Sequence, residues 1–386
     1  MSATKATAWT DTPTCTSAGE LTSSSGHKSV SKGPGFIAGP RCYIDREPIF
    51  QEIVLLHPTE RPLEKSTERL IDSSIHRRFD RRETVFYRRD IFTGFDSYHP
   101  DKLDPADPEL LELAEARASW LLHDNYSAAF LDSIVGDRKL VKGFPPFMYE
   151  FPTPETASKN IMAVAKRFGA SKVGITKLDD AWLYSHRRSG SPVALPDEAR
   201  WAVVMLVEMK EELIARSPDL AAAAESGRGY SRMAALSGAI GEYMRLLGYY
   251  ARSCGNDTAL SIPLAMDAGL GVMGRSGLLL TREFGPRVRI CKVITDLELL
   301  PTENEYPIME RVCGGCTLCA KACEADALSF AGEPTYEILT KSNNPGVLRW
   351  QFNPEKCFDY WLDIGRDCSN CIAACPAAKR LRKLKA

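Results

Sequence analysis

No stretch of this 386-residue chain is apolar for long enough to cross a bilayer. The longest such run, 201–207, falls far short of the ~20 residues a spanning helix needs and suits a buried strand. An excess of charge is also missing. Lys and Arg number 49 against 50 Asp and Glu, a formal charge of −1 at pH 7, which argues against a nucleic-acid binder that works by general basicity. The N-terminus has neither a basic region nor an apolar core behind it, so it is not a secretory signal. Its Ser, Thr, Gly and Ala content predicts a flexible tail over residues 1–36. Twelve cysteines are too few for a disulfide scaffold. What is present, 44% hydrophobic and 26% charged residues, can bury a large core and fill two or three domains.

Eight of the twelve cysteines stand in two short runs. Cys313, Cys316, Cys319 and Cys323 follow C-x2-C-x2-C-x3-C; Cys357, Cys368, Cys371 and Cys375 repeat the pattern with a longer first link, and Pro376 follows the last. A structural zinc site uses two well-separated C-x2-C knuckles. Here each run carries a third cysteine at the x3 spacing, the pattern of bacterial two-cluster ferredoxins, in which the fourth cysteine of one run ligates the other cluster. The expectation is therefore two [4Fe–4S] clusters: one on Cys313, Cys316, Cys319 and Cys375, the other on Cys357, Cys368, Cys371 and Cys323. Glu324 stands where such a run usually has proline, a departure on which ligation does not depend. Cys15, Cys42, Cys254 and Cys291 are isolated and read as buried or incidental thiols.

The clusters only carry electrons, so the chemistry belongs to the larger segment before them. Residues 37–154 are rich in Pro, Arg and Asp and read as an N-terminal unit covering the site, with one helix over 107–123 and a linker at 145–154. A clearer α/β rhythm follows: a helix over 155–168, and strands at 170–176, 201–208, 278–281 and 288–295. Met233, Leu236, Ile240, Met244 and Leu247 recur at helical spacing, a long helix closed by Gly248. This divides the chain into a core over 155–305 and a cysteine-rich domain over 306–386.

GYSRMAALSGAIGEYMRLLGYYA, the block GNDTALSIPLAMDAGLGVMGRSGLLLTREFGPRVRICKVITDL and the two cysteine runs together resemble a cobalamin-dependent reductive dehalogenase. RRFDRRETVFYRR and ETASKNIMAVAKRFGASKVGITKLDDAWLYS extend the resemblance upstream, to roughly residues 75–378. It implies a mixed α+β/α/β fold: a nitroreductase-like, corrinoid-binding core with a C-terminal ferredoxin-like two-cluster domain. The implied reaction converts R–X, two electrons and a proton into R–H and halide at a corrinoid cobalt; attack on halogen and attack on carbon both stay open. The family's proton donor, a tyrosine before the long helix, matches Tyr230. A phenol with a free pKa near 10 can serve as an acid where a cation stabilises its phenolate, and the family's arginine matches Arg289. The third polar residue matches Asn256, where some relatives carry lysine. Taken singly, Tyr230 reads as a packing tyrosine, Arg289 as an ion-pair arginine and Asn256 as a turn residue. Their joint placement within one resemblance assigns the roles.

Gly269, Gly271, Gly274, Arg275, Ser276 and Gly277 are expected to contact the corrinoid, glycine permitting close backbone approach. The G-x-G-x-x-G spacing within them lacks the dinucleotide acid downstream, so nicotinamide binding is disfavoured. No D-x-H-x-x-G motif occurs, and a lower histidine ligand to cobalt is not expected. Trp350 and Trp361 read equally as cavity wall and as packing. The paired arginines at 77–78 and 81–82 have no apolar region behind them and cannot act as an export signal. The expectation is a cytoplasmic enzyme, with a removed twin-arginine leader as the alternative. It would act on a small organohalide, take electrons from an external ferredoxin or flavodoxin-like donor and bind no nucleic acid, with a homodimer left open. Two rivals stand beside it. An epoxyqueuosine reductase shares the core and clusters but would carry an aspartate acid and a basic tRNA face; an electron-transfer protein would hold no corrinoid.

Overall fold

Helix α1 (Pro154–Arg167) begins where local chemistry directs it. Thr153 accepts from the Thr156 amide at 3.1 Å, and Pro154 fills the first turn, where no amide is required. Ala157, Ile161, Val164 and Ala165 fall on one face and are buried. The computed structural model describes residues 67–88, 112, 115–116, 119–120, 148–303 and 311–379, all within the unit Arg61–Ala386. The expected tail, Cys15, Cys42 and most of the 37–154 unit lie outside the described residues; of the 107–123 helix, Glu112, Glu115, Ala116 and Ser119 are described, and are helical.

Strands β1 (Lys172–Lys177), β2 (Trp201–Glu208), β3 (Ala251–Cys254) and β6 (Val288–Thr295) form a four-stranded sheet in the order β1-β2-β6-β3. Every pairing is antiparallel, with Val207 opposite Arg289 and Cys254 opposite Lys292. The helix–strand rhythm along the chain does not itself set strand direction, and this sheet is α+β in character. The unbroken apolar run of β2 follows from burial on both faces. Val203, Met205, Val207, Cys291 and Val293 pack with α1 and the long helix α2 (Leu220–Leu246). Ala202, Val204, Leu206, Ile290 and Ile294 pack with α3 (Ser261–Asp267). Because side chains alternate along a strand, Arg289 shares a face with Cys291, under α2, and Lys292 lies on the opposite face.

Helix α2 corrects one expectation. It starts at Leu220, well before the apolar face that begins at Met233, so Tyr230 lies inside the helix and not ahead of it. Its alanine-rich first turn favours helix, but Glu225–Gly229 interrupts the apolar period and hides the continuation. Gly248, at φ +91°, ends the helix as expected. The pattern did not reveal β3 or α3, both short; β4 (Val272–Met273) pairs with β5 (Leu279–Leu280) in a separate two-stranded sheet. Downstream, α4 (Leu318–Lys321), α5 (Pro354–Ile364) and α6 (Asn370–Ala373) carry cysteines of both runs. Helix α5 is capped by Asn353 and ends on left-handed Gly365 at φ +66°.

Candidate active site and cluster-binding region

Tyr230, Asn256 and Arg289 come from α2, the loop after β3 and strand β6, and they meet. The Asn256 side-chain amide donates to the Tyr230 hydroxyl at 3.2 Å. The Arg289 guanidinium lies 4.5 Å from the Tyr230 ring centroid, over its face. Trp120 stacks on the same ring at 4.8 Å, at an interplanar angle of 24°. Arg289 also donates to Ser226 Oγ at 2.9 Å. Beside it, burial pushes the Asp367 carboxyl up to about 6, while Arg289 and the Ser226 hydroxyl draw it back. The hydroxyl thus has an amide donor and the ring face a cation, while the aromatic stack covers the ring.

Sequence reasoning missed the residues that make room for this cluster. A Cβ on Gly229 would meet Arg289 Cγ at 2.9 Å, and one on Gly227 would meet Ser119 Oγ at 2.0 Å and the Trp120 ring at 2.6 Å. Two glycines inside a helix each lower its stability by about 1 kcal/mol relative to alanine, so GRGY was the signal of a close approach.

Asn256 is held from below by a buried network. Lys292, fully inaccessible, donates to the Gly255 carbonyl at 2.5 Å and to Ser261 Oγ at 3.0 Å. Ser261 in turn reaches Asn256 Oδ1 at 3.4 Å, and Asp257 Oδ1 accepts from the Gly255 amide at 2.7 Å. Burial lowers the Lys292 ammonium, with Cys254 and Asp257 opposing the shift. The Asp257 carboxyl stays below its usual range: burial raises it, but Lys292, Arg81 and Arg252 outweigh that.

The cysteines of the two runs lie close together in the described structure. Cys313, Cys316, Cys319 and Cys375 line one pocket with Leu280, Pro376 and Ala377. Burial pushes the Cys357 thiol up to about 12, and Cys323 and Cys368 push it the same way. Cys371 is raised by burial first and then by Cys357, Cys368, Cys319 and Cys323. Thiols so buried and so close cannot all ionise unless a metal cluster takes up the charge. The pocket lined by Cys313, Cys316, Cys319 and Cys375 is the arrangement that a four-thiolate cube of iron and sulfide needs. Glu324 ties the first run to α5 and α6, accepting from the Tyr360 hydroxyl and from Asn370 Nδ2. Cys254 and Cys291 are buried thiols within the core, as expected.

A cavity of about 250 Å³ opens between the glycine-rich segment and the chain before α5, lined among others by Leu70, Met273, Gly274, Leu348, Arg349 and Trp350. Burial lowers the Arg349 guanidinium to about 10. Its Nε and the Trp350 indole N–H are buried without a hydrogen-bond partner among the described residues. An apolar-walled cavity of this size, with a buried cation and donor at its edge, could receive part of a ligand bearing anionic or carbonyl oxygens. The glycine-rich segment is divided in its roles. Gly274 lines the cavity, and a Cβ on Gly277 (φ +73°) would lie 3.2 Å from the Phe352 ring and 3.9 Å from Arg349 Nη2. Gly269 turns the chain after α3 at φ +68°, and a Cβ on Gly271 would strike the Leu280 carbonyl at 2.2 Å. Ser276 is half-buried, and the Arg275 guanidinium points at the first cysteine run, donating to the carbonyls of Cys313 and Cys316. Trp350 is cavity wall; Trp361 packs against Phe86 and Phe358.

Residues 312–379 match the family described as a 4Fe-4S dicluster domain. The chain is 35% identical over 269 residues to a tetrachloroethene reductive dehalogenase of Desulfitobacterium hafniense, covering 59% of this chain and 49% of that protein. It thus spans about half the length of the curated relatives it matches. A solved reductive dehalogenase structure, reported with a mechanism for B12-dependent dehalogenation, superposes with a TM-score of 0.65 at 24% identity, over 84% of this chain and 45% of that one. A catabolic reductive dehalogenase in complex with 3-bromo-4-hydroxybenzoic acid also gives 0.65 at 24% identity, over 82% of this chain and 44% of the other. The likeness to epoxyqueuosine reductase is weaker: 27% over 122 residues for that of Lactococcus garvieae, 31% of this chain and 32% of that protein. The chain is therefore similar to reductive dehalogenases over 269 residues, shares their fold and carries a 4Fe-4S dicluster domain over residues 312–379.

Proposed function

We propose that this chain replaces a halogen of a small organohalide by hydrogen, with Tyr230 as the proton donor. The observation that carries this is the convergence of Asn256 on the Tyr230 hydroxyl and of Arg289 on its ring. A corrinoid, when bound, supplies the reducing cobalt at which the carbon–halogen bond is broken. Two electrons and one proton enter, and R–H and halide leave. Tyr230 gives its hydroxyl proton to the carbon that loses the halogen. Arg289 and the Asn256 amide stabilise the phenolate left behind, and solvent returns the proton. Stacked Trp120 covers one ring face and keeps bulk water from it.

Arg349 and Trp350 would meet anionic and carbonyl oxygens of the corrinoid, with Gly274 and Gly277 allowing close approach. We assign the 155–305 segment to a nitroreductase-like core, 306–386 to the electron-delivering domain and 37–154 to the cover of the site. The electrons come from a separate ferredoxin or flavodoxin-like protein in the cytoplasm. No described helix is long and apolar enough to cross a membrane. The tyrosine, where an epoxyqueuosine reductase would carry aspartate, favours an organohalide over a tRNA base.

The test is anaerobic reconstitution with iron, sulfide and cobalamin, then halide release with a reduced viologen dye as donor. Brominated and chlorinated phenols are compared with chlorinated alkenes. About eight iron and one cobalt per chain, with halide release dependent on both, is the expected result. Zinc in place of iron, or a fully loaded protein that releases no halide from either class, would sink the proposal.

A further inference from the structure

Arg275 is one of the largest fully buried side chains, only 1% exposed. All five of its N–H donors are used, and all go to backbone carbonyls. Nε donates to Cys316 at 2.7 Å; Nη1 to Ser329 at 3.0 Å and Ala331 at 2.6 Å; Nη2 to Cys313 at 2.9 Å and Gly314 at 3.2 Å. Trp350 covers the guanidinium at 4.9 Å from its ring centroid. Hydrogen bonds satisfy the geometry of the guanidinium but leave its charge in place. No carboxylate pairs with Arg275 among the described residues. A buried cation without a counter-ion is strongly unfavourable, so an anion belongs beside it.

The groups nearest the loop that Arg275 braces are Cys313, Cys316, Cys319 and Cys375, which line one pocket. A [4Fe–4S] cube on four thiolates is dianionic when oxidised and trianionic when reduced. We propose that Arg275 is the counter-charge of this first cluster: it braces the binding loop through the Cys313 and Cys316 carbonyls and raises the cluster's reduction potential by stabilising the more negative reduced form. Net charge near a cluster is one of the levers that set its potential. The brace also joins the cluster to the site. Gly274, next in the chain, and Trp350, stacked on the guanidinium, both line the cavity. This rests on the two-cluster reading.

The test uses the full chain, reconstituted anaerobically, with iron counted and both clusters titrated by EPR-monitored potentiometry. The signal of the first cluster is identified by its perturbation in Cys319→Ser. In Arg275→Gln, which keeps hydrogen-bonding capacity and loses the charge, the first cluster should become at least tenfold harder to reduce, a shift of about 59 mV to more negative potential. The second cluster should not move. Arg275→Lys, which keeps the charge and loses the fork, should stay close to the wild-type potential. Loss of the first cluster from the Gln variant, with the Lys variant retaining it at the wild-type potential, also supports the proposal. Two unchanged potentials in Arg275→Gln, or equal shifts in Gln and Lys variants, overturn it. A wild-type protein that takes up no iron–sulfur cluster would instead overturn the two-cluster reading beneath it.

Discussion

Tyr230 is surrounded by groups that each make a different demand on it, and single substitutions separate them. Tyr230→Phe keeps the ring for Arg289 and Trp120 and removes only the proton. Turnover is expected to fall by at least about 100-fold, the size of a general-acid contribution, with iron and cobalt content unchanged by metal analysis. Asn256→Ala removes one donor to the developing phenolate and should reduce halide release by about 100-fold, again at full cofactor loading. Lys292 acts one step back, through Gly255 and Ser261. Lys292→Met leaves that carbonyl and hydroxyl without their buried donor, and a loss of about 1–3 kcal/mol in denaturant unfolding is expected. Of these residues, Tyr230, Asn256 and Arg289 were legible from the resemblance carried by their segments. Lys292, Ser226 and Trp120 were not, because nothing in RICKV, AESG or SWLL shows which face each side chain will take until the sheet and α2 are packed.

At the scale of elements, closeness of approach decides more than propensity does. Gly174 in β1 would place a Cβ 2.2 Å from the Ala268 carbonyl at the end of α3. That acceptor is backbone and cannot swing aside, so Gly174→Ala should lower stability by about 1–3 kcal/mol by forcing sheet and helix apart. Gly229 makes the opposite case. As an interior helical position it should gain up to about 1 kcal/mol of helix propensity on change to alanine. The new methyl would nevertheless press on Arg289 Cγ at 2.9 Å. Gly229→Ala is therefore expected to leave the melting temperature unchanged or raised while turnover falls, measured on the same preparation. Equal losses of both would show that the glycine serves packing alone. The boundaries of α1, β2 and β6 were readable because capping and unbroken apolar runs are local signals; the start of α2 and the existence of β3 depended on partners distant in sequence.

At the scale of the whole molecule, the glycine-rich segment and the chain before α5 close on a cavity of about 250 Å³. Arg349 lines that cavity, and its Nε has no acceptor among the described residues. If it meets the phosphodiester of the corrinoid's nucleotide tail, Arg349→Gln should weaken binding of cobalamin about tenfold or more, the scale of a lost charge-assisted hydrogen bond. Binding of cobinamide, which has no nucleotide tail, should be unaffected; spectrophotometric titration of both corrinoids decides it. The sequence by itself marked the two-cluster domain, which the dicluster family match over residues 312–379 supports. The spacing matches two-cluster ferredoxins, and from that pattern comes the expected exchange of Cys323 and Cys375 between the two clusters. The sequence also carried the resemblance to reductive dehalogenases, through segments whose residue order persists. Only the tertiary structure decided the setting of the site. The antiparallel register puts Arg289 and Lys292 on opposite faces of one strand, one against Tyr230 and the other beneath Asn256. The same folding placed the Arg275 guanidinium on the carbonyls of the first cysteine run. Spacing constrains groups held within one loop, whereas the direction of a buried side chain is set by which distant segment leaves it a partner.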